Sequence, residues 1–295
     1  MSGAFWAAAS GVGFGAFQTV NRRAVARMDV YVATFIQLGV ALAVLLALVL
    51  ATGDRNRLDS IPLGSLGWFL LGGLAHFFVG WTLLNMSQQR IGAARTSPLI
   101  STVPLFGAGI AAVTLGELPS GLTWVGIALI TLGAYAVSAE RLLQGPSRGP
   151  VAWRDSVFGI GTALAWALSP VFIRKGLNGF DVPLLGVTVG LGVSLVGYAL
   201  ALAVRGRWDR EHLGDAPWLK VLAGVLVALS TWGRWVALER TSVGAVLALG
   251  LMSVPVVLLL SPLLMGREVE RVTVVVWLGA ALVVGGSLLL VARGR

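Results

Sequence analysis

Thirteen carboxylates, two histidines and no cysteine limit the chemistry open to this 295-residue chain. Asp29, Asp54, Asp59, Glu117, Glu140, Asp155, Asp181, Asp209, Glu211, Asp215, Glu239, Glu268 and Glu270 all fall in polar segments or at the ends of apolar stretches. None sits in the middle of one. His76 is the one histidine inside an apolar stretch, and His212 lies in a charged segment. Covalent or metal-assisted catalysis needs a nucleophile beside a base, or a cluster of metal ligands. The apolar stretches hold neither, so no catalytic group, metal or cofactor is expected.

The polar and aromatic side chains within the stretches suit binding instead. Gly72, His76 and Gly80 recur every four residues, which sets His76 on a small-residue face of a helix. Two roles fit it: a hydrogen-bonding group lining a cavity, or a neutral histidine bonded to another helix. Trp166 lies eight residues, about 12 Å of helix, before the basic pair Arg174-Lys175. At that depth it could stack on an apolar solute or pack against a neighbour. Trp81 and Trp232 lie at intermediate depth. Gln18, Asn85, Ser97, Ser101, Ser169 and Ser230 are the uncharged polar candidates. Arg234, between Trp232 and Trp235, could meet a carboxylate or extend its charge to the headgroups. Pro104, Pro170 and Pro255 each remove a backbone donor and permit a bend.

These residues sit on elements that water could not support. The chain is 57% hydrophobic and 12% charged, where a soluble domain has about 25% charged residues. Mean hydropathy is +0.86. A bilayer core takes roughly 20 apolar residues per helix. Ten stretches qualify, near 3–21, 30–52, 63–86, 96–115, 121–139, 156–173, 182–204, 216–238, 241–265 and 272–292. The 39 glycines fit close helix contacts in lipid. The net charge of +9 is scattered along the chain. A lipid bilayer therefore suits it as partner, and nucleic acid does not.

The sequence also repeats. "FGAFQTVNRRAV" from Phe14 falls on "WALSPVFIRKGL" from Trp166, an offset of 152. Asp29-Val30 falls on Asp181-Val182, and Gly92 on Gly244, at that same offset. Pro104 and Glu117 match Pro255 and Glu268, 151 apart, and Gly126 and Gly133 match Gly279 and Gly286, 153 apart. The expected domains are a five-helix unit over 1–141, a linker over 142–152 and a second unit over 153–295. Five spans is an odd number, so the second copy enters from the opposite side. Inverted repeats of this kind mark secondary transporters, with solute bound near the midplane.

Ten spans, the duplicated basic-pair phrase, "VPLFGAGIAAVTLGE" (Val103–Glu117) and "WVGIALITLGAYAV" (Trp124–Val137) together resemble the EamA type of the drug/metabolite transporter superfamily, and its amino-acid exporter branch. The resemblance covers essentially the whole chain. It implies an all-α polytopic membrane protein of ten helices around a central cavity. It also implies export of small organic solutes from the cytoplasm across the inner membrane, both termini being cytoplasmic. Cationic drugs and nucleotide-sugar-type metabolites are the alternative cargoes within the superfamily. A monomer is expected to suffice. Charge counting opposes that orientation, with fourteen basic residues on the side of the first connection and eight on the other.

Overall fold

The computed structural model describes residues 2–24, 28–91, 96, 99–144, 153–206, 217–265 and 273–293, and no strand occurs among them. The helices are α1 (Gly3–Ala24), α2 (Val30–Thr52), α3 (Leu63–Gly73), a π-helical stretch (Leu74–Gly80), α4 (Trp81–Ile91), α5 (Val103–Leu115) and α6 (Gly121–Gln144). After these come α7 (Trp153–Gly179), α8 (Pro183–Arg205), α9 (Pro217–Arg240), α10 (Val243–Gly250), α11 (Ser253–Met265) and α12 (Val274–Arg293).

Among the described residues, eight helical segments are long and apolar enough to cross a bilayer. The fourth expected span appears as the shorter apolar helix α5. The first, α1, has the length but carries Gln18, Asn21 and the basic pair. The chain is thus a polytopic all-α membrane protein. Large apolar side chains such as Val113, Leu200 and Val204 point outward, 63–89% exposed, as a lipid-facing surface requires.

Helix contacts recur with the two halves exchanged. The first span packs on the eighth, and the sixth packs on the third. The eighth packs on the second, and the third on the seventh. Two pairings map onto themselves, α2 with α8 and α6 with α12. The α6–α12 crossing is the most direct. A Cβ on Gly133 would strike the Gly279 carbonyl oxygen, and one on Gly279 would come within 2.7 Å of the Gly133 carbonyl oxygen. A Cβ on Gly286 would lie 2.9 Å from the carbonyl oxygen of Gly126. Exchanging 126 with 279 and 133 with 286 turns one contact into the other. That reciprocity is the signature of a twofold relation, and the glycines are those that the repeat aligns.

Five spans differ from the sequence expectation. The sixth span runs to Gly179 rather than 173, so Arg174 and Lys175 are helical and not in a loop. Both charges are partnered, Arg174 by Glu117 and Lys175 by the Trp68 ring, 4.9 Å below its ammonium. The third span continues to Ile91 through the π-helical stretch. The prolines of the fourth and ninth spans are not inside continuous helices. Each span breaks, at Ser101-Thr102 and at Leu251-Met252, and Pro104 and Pro255 occupy the first turn of the segment that follows. There the missing N–H costs nothing. The α6 helix also extends through Gln144, into the first residues of the expected linker; the rest of that linker lies outside the described residues.

Gly133→Ala should destabilise the protein by about 1–3 kcal/mol, the usual cost of overpacking. Gly39→Ala, at a helical position with nothing within 4 Å, should be neutral or slightly stabilising. Thermal unfolding of the two variants in the same detergent makes the comparison.

Candidate functional site

The site is built where the third span meets the sixth. Gly72, His76 and Gly80 do face one neighbour, and that neighbour is α7. A Cβ on Gly72 would lie 2.8 Å from Ile173, and one on Gly80 would strike the Trp166 indole nitrogen. Without those Cβ atoms the helices close up and bury His76 to 5% exposure. His76 Nδ1 lies 3.0 Å from Ser169 Oγ. The Trp166 indole stacks on the imidazole at 5.6 Å and donates from Nε1 to the His76 carbonyl at 3.1 Å. Pro170, inside α7, lacks the N–H that the Trp166 carbonyl would receive in an unbroken helix. His76, Trp166, Ser169 and Pro170 thus form one cluster.

The π-helical stretch centres on this cluster. A wider helical turn loosens the backbone ladder, and side chains hold two consecutive carbonyls within it. Trp166 takes that of His76, and the buried Tyr198 hydroxyl donates to that of Phe77 at 3.3 Å. Thr82 Oγ1 lies 3.2 Å from the same Tyr198 hydroxyl. Neither the π-helical stretch nor Tyr198 is evident from sequence reasoning. The available signals were the tight glycine spacing around His76 and a tyrosine deep in the seventh span.

Aromatic rings connect this cluster to the first span. His76 meets Phe77 at 4.9 Å, Phe77 meets Trp81 at 6.0 Å, and Trp81 stacks on Phe17 of α1 at 6.1 Å. Phe14 meets Phe17 edge-on at 6.3 Å. The rings run from α1 to α7, the two helices that open the repeats, and Trp81 and Trp166 are both half-buried.

Arg234, on α9, is half-buried. One turn further on, the Leu238 carbonyl accepts a hydrogen bond from Arg174 Nη1.

The remaining sequence candidates serve elsewhere. The hydroxyls of Ser101 and Ser138 lie 3.4 Å apart between the fourth and fifth spans. Ser230 is buried against α1, where Ser10 Oγ donates to its carbonyl at 2.7 Å. Trp232 meets Trp6 at 6.1 Å in the same helix pair. Asn85 is half-buried one turn beyond Trp81, and Gln18 is exposed on α1. Pro104 and Pro255 are buried at the span breaks. Ser97 lies outside the described residues.

Above the cluster, toward the face that carries both termini, an ion pair ties the halves together. Gly116 ends α5 with φ 68°, a left-handed turn that glycine adopts without strain, and delivers Glu117 to the helix ends. Glu117 Oε1 accepts from Arg174 Nε at 2.9 Å, and its Oε2 accepts from the Val243 N–H at 2.8 Å. Both side chains are only 16% exposed, so the pair is shielded from solvent screening. The sequence marks Glu117 as a repeat motif but does not reveal its partners.

The whole arrangement is helical, lipid-facing outside and polar-aromatic between its two halves. A model of the EamA-like transporter family matches residues 1–139 and again residues 155–292. The chain belongs to that family. A curated relative, the "Uncharacterized transporter in cobO 3'region" of Sinorhizobium sp, is 32% identical over 139 residues. That match takes 45% of this chain and 94% of the relative, so one half of the transporter corresponds to nearly all of that protein. A solved structure titled "Crystal structure of protein" superposes with a TM-score of 0.71 at 19% identity, covering 96% of each chain. That likeness concerns the fold.

Removing either side of the Glu117–Arg174 pair strands the other in a shielded place. Glu117→Ala and Arg174→Ala should each destabilise the transporter. The double variant should cost less than the two added together, with a coupling of about 1–3 kcal/mol. Denaturant unfolding of the four proteins in detergent measures it, and additive losses would exclude the pairing.

Proposed function

We propose that this family member is a secondary exporter of small organic metabolites, amino acids with apolar and aromatic side chains among them, working by alternating access. The observation that carries this reading is the line of rings between the two helices that open the repeats. A ligand site needs apolar walls with a few fixed polar groups. Phe14, Phe17, Phe77, Trp81 and Trp166 supply the walls, and His76, Ser169 and Arg234 the polar groups. The repeats, over 1–141 and 153–295, rock about the site, and the broken fourth and ninth spans give each half a bend at a matching place. The protein acts as a monomer in the cell inner membrane with both termini in the cytoplasm.

Trp166→Ala should slow transport of phenylalanine more than that of alanine. A lost ring contact is worth roughly 0.5–1.5 kcal/mol, about two- to twelvefold. Trp166→Phe, which keeps a ring but loses the bond to the His76 carbonyl, should retain the preference. Initial rates in proteoliposomes, normalised to folded protein, decide it. Equal loss for both solutes would place Trp166 outside the site.

No carboxylate lies at membrane depth to carry a proton, so solute should move down its own gradient. Efflux with and without an imposed pH gradient should proceed at similar rates. Transport that needs the gradient and loses this need in His76→Ala would make His76 the proton carrier instead.

A further inference from the structure

We infer that Tyr198 is a positioning residue for the recognition site: its hydroxyl stands in for a backbone donor of the third span and so fixes where Trp81 lies relative to His76. The assignment rests on the transport reading above and names a residue through which that site selects aromatic cargo.

The exchange of partners is visible in the backbone. In an uninterrupted α-helix the Trp81 N–H donates to the carbonyl four residues earlier, that of Phe77. Here it donates to the Phe78 carbonyl instead. Phe77 is fully buried, and a buried carbonyl without a donor is costly. The Tyr198 hydroxyl, 3.3 Å away, supplies that donor. A hydroxyl has one proton, so in the 3.2 Å contact between Tyr198 and Thr82 it is Thr82 that donates. The tyrosine ring is held independently of these bonds. Phe78 meets it edge-on at 5.2 Å, and Tyr31 lies 6.2 Å away. Its helix, α8, is seated against the start of the π-helical stretch, where a Cβ on Gly73 would strike the Gly190 carbonyl.

The winding of this stretch decides which way its side chains face. An α-helix turns about 100° per residue, so Gly80 would lie about 80° round the helix from Gly72. Yet a Cβ on either glycine would meet α7, at Ile173 and at Trp166. The wider π-helical turn between them absorbs the difference. It keeps His76 against Ser169 and brings Trp81 to Phe17, on which it stacks at 6.1 Å. Without the Tyr198 hydroxyl, the nearest donor for the Phe77 carbonyl is the Trp81 N–H. Taking it back winds the span as an α-helix and turns Trp81 away from Phe17. The site then loses one ring of its wall while the fold keeps its helices. Tyr198, itself fully buried, acts through Trp81 and not on the solute.

The test uses the full-length protein in nanodiscs with isotope-labelled histidine. The chain has two histidines, and the signal lost in His76→Gln belongs to His76. Tyr198→Phe, which keeps the ring and removes only the hydroxyl, should move the backbone carbonyl resonance of His76. Tyr135→Phe, at an exposed tyrosine of α6, should not. In proteoliposomes Tyr198→Phe should raise the KM for phenylalanine efflux roughly two- to twelvefold, the worth of one lost ring contact, and leave the KM for alanine and both kcat values unchanged. Trp81→Ala added to Tyr198→Phe should raise the phenylalanine KM no further, because both remove the same ring from the wall. A His76 resonance unmoved in Tyr198→Phe overturns the proposal. An equal rise in KM for both solutes, or full additivity with Trp81→Ala, marks a merely structural tyrosine and also overturns it. A moved resonance with the phenylalanine KM intact sinks the positioning role and spares the transport reading. Wild type that moves neither solute sinks the transport reading, and the His76 resonance then decides the positioning by itself.

Discussion

Helices in lipid gain nothing from burying apolar surface against one another, because the solvent is already apolar. They associate through close packing, and close packing needs small residues at the crossing. The contact between α6 and α12 shows what that constraint produces. Gly133 meets Gly279 and Gly126 meets Gly286, and each pair is the image of the other. A contact complementary to itself fixes two antiparallel helices about a twofold axis. The same exchange then orders the other helix pairings, so the duplicated sequence folds into a frame whose two ends are nearly alike. An alternating transporter needs such a frame, since a change that opens one end has a counterpart that opens the other.

The chemistry lies where the halves stop agreeing. At the offset of 152, His76 corresponds to Ala228, Arg234 to Thr82, Trp81 to Gly233 and Tyr198 to Leu46. Ser169 and Pro170 correspond to Phe17 and Gln18, and only Trp166 keeps an aromatic counterpart, Phe14. The glycine crossings and the motifs that close each fourth span recur. The polar cluster does not. A solute has no twofold symmetry, so a site that orients it must break the symmetry of its frame. The π-helical stretch breaks it in the backbone too. The third span widens at His76 and is held there by Trp166 and Tyr198, whereas α9 is continuous through the corresponding residues.

This division explains what could be read from sequence. Span number, repeat and the face of His76 follow from bilayer thickness and helical period, which are local properties. The span breaks before Pro104 and Pro255 were half legible, since proline marks a bend but not on which side of it the helix restarts. The partners were not legible. His76 and Ser169 are 93 residues apart, and Glu117 and Val243 are 126 apart; nothing in one sequence pairs them. Serine was the least informative signal. Ser169 joins His76, but the hydroxyl of Ser101 meets that of Ser138 and the Ser230 carbonyl holds Ser10, as hydroxyls in lipid commonly serve helix contacts.

Charge placement carries the argument one step further. Near the membrane face Glu117 balances Arg174 and caps the Val243 N–H. Glu117 belongs to the first half of the chain, and Arg174 and Val243 to the second, so this contact joins the halves at the face that carries both termini. Both charged side chains are shielded from screening, which makes the contact costly to break. A change that opens this end has to offset that cost, and a ligand supplies the offset only through a differential interaction with the two states.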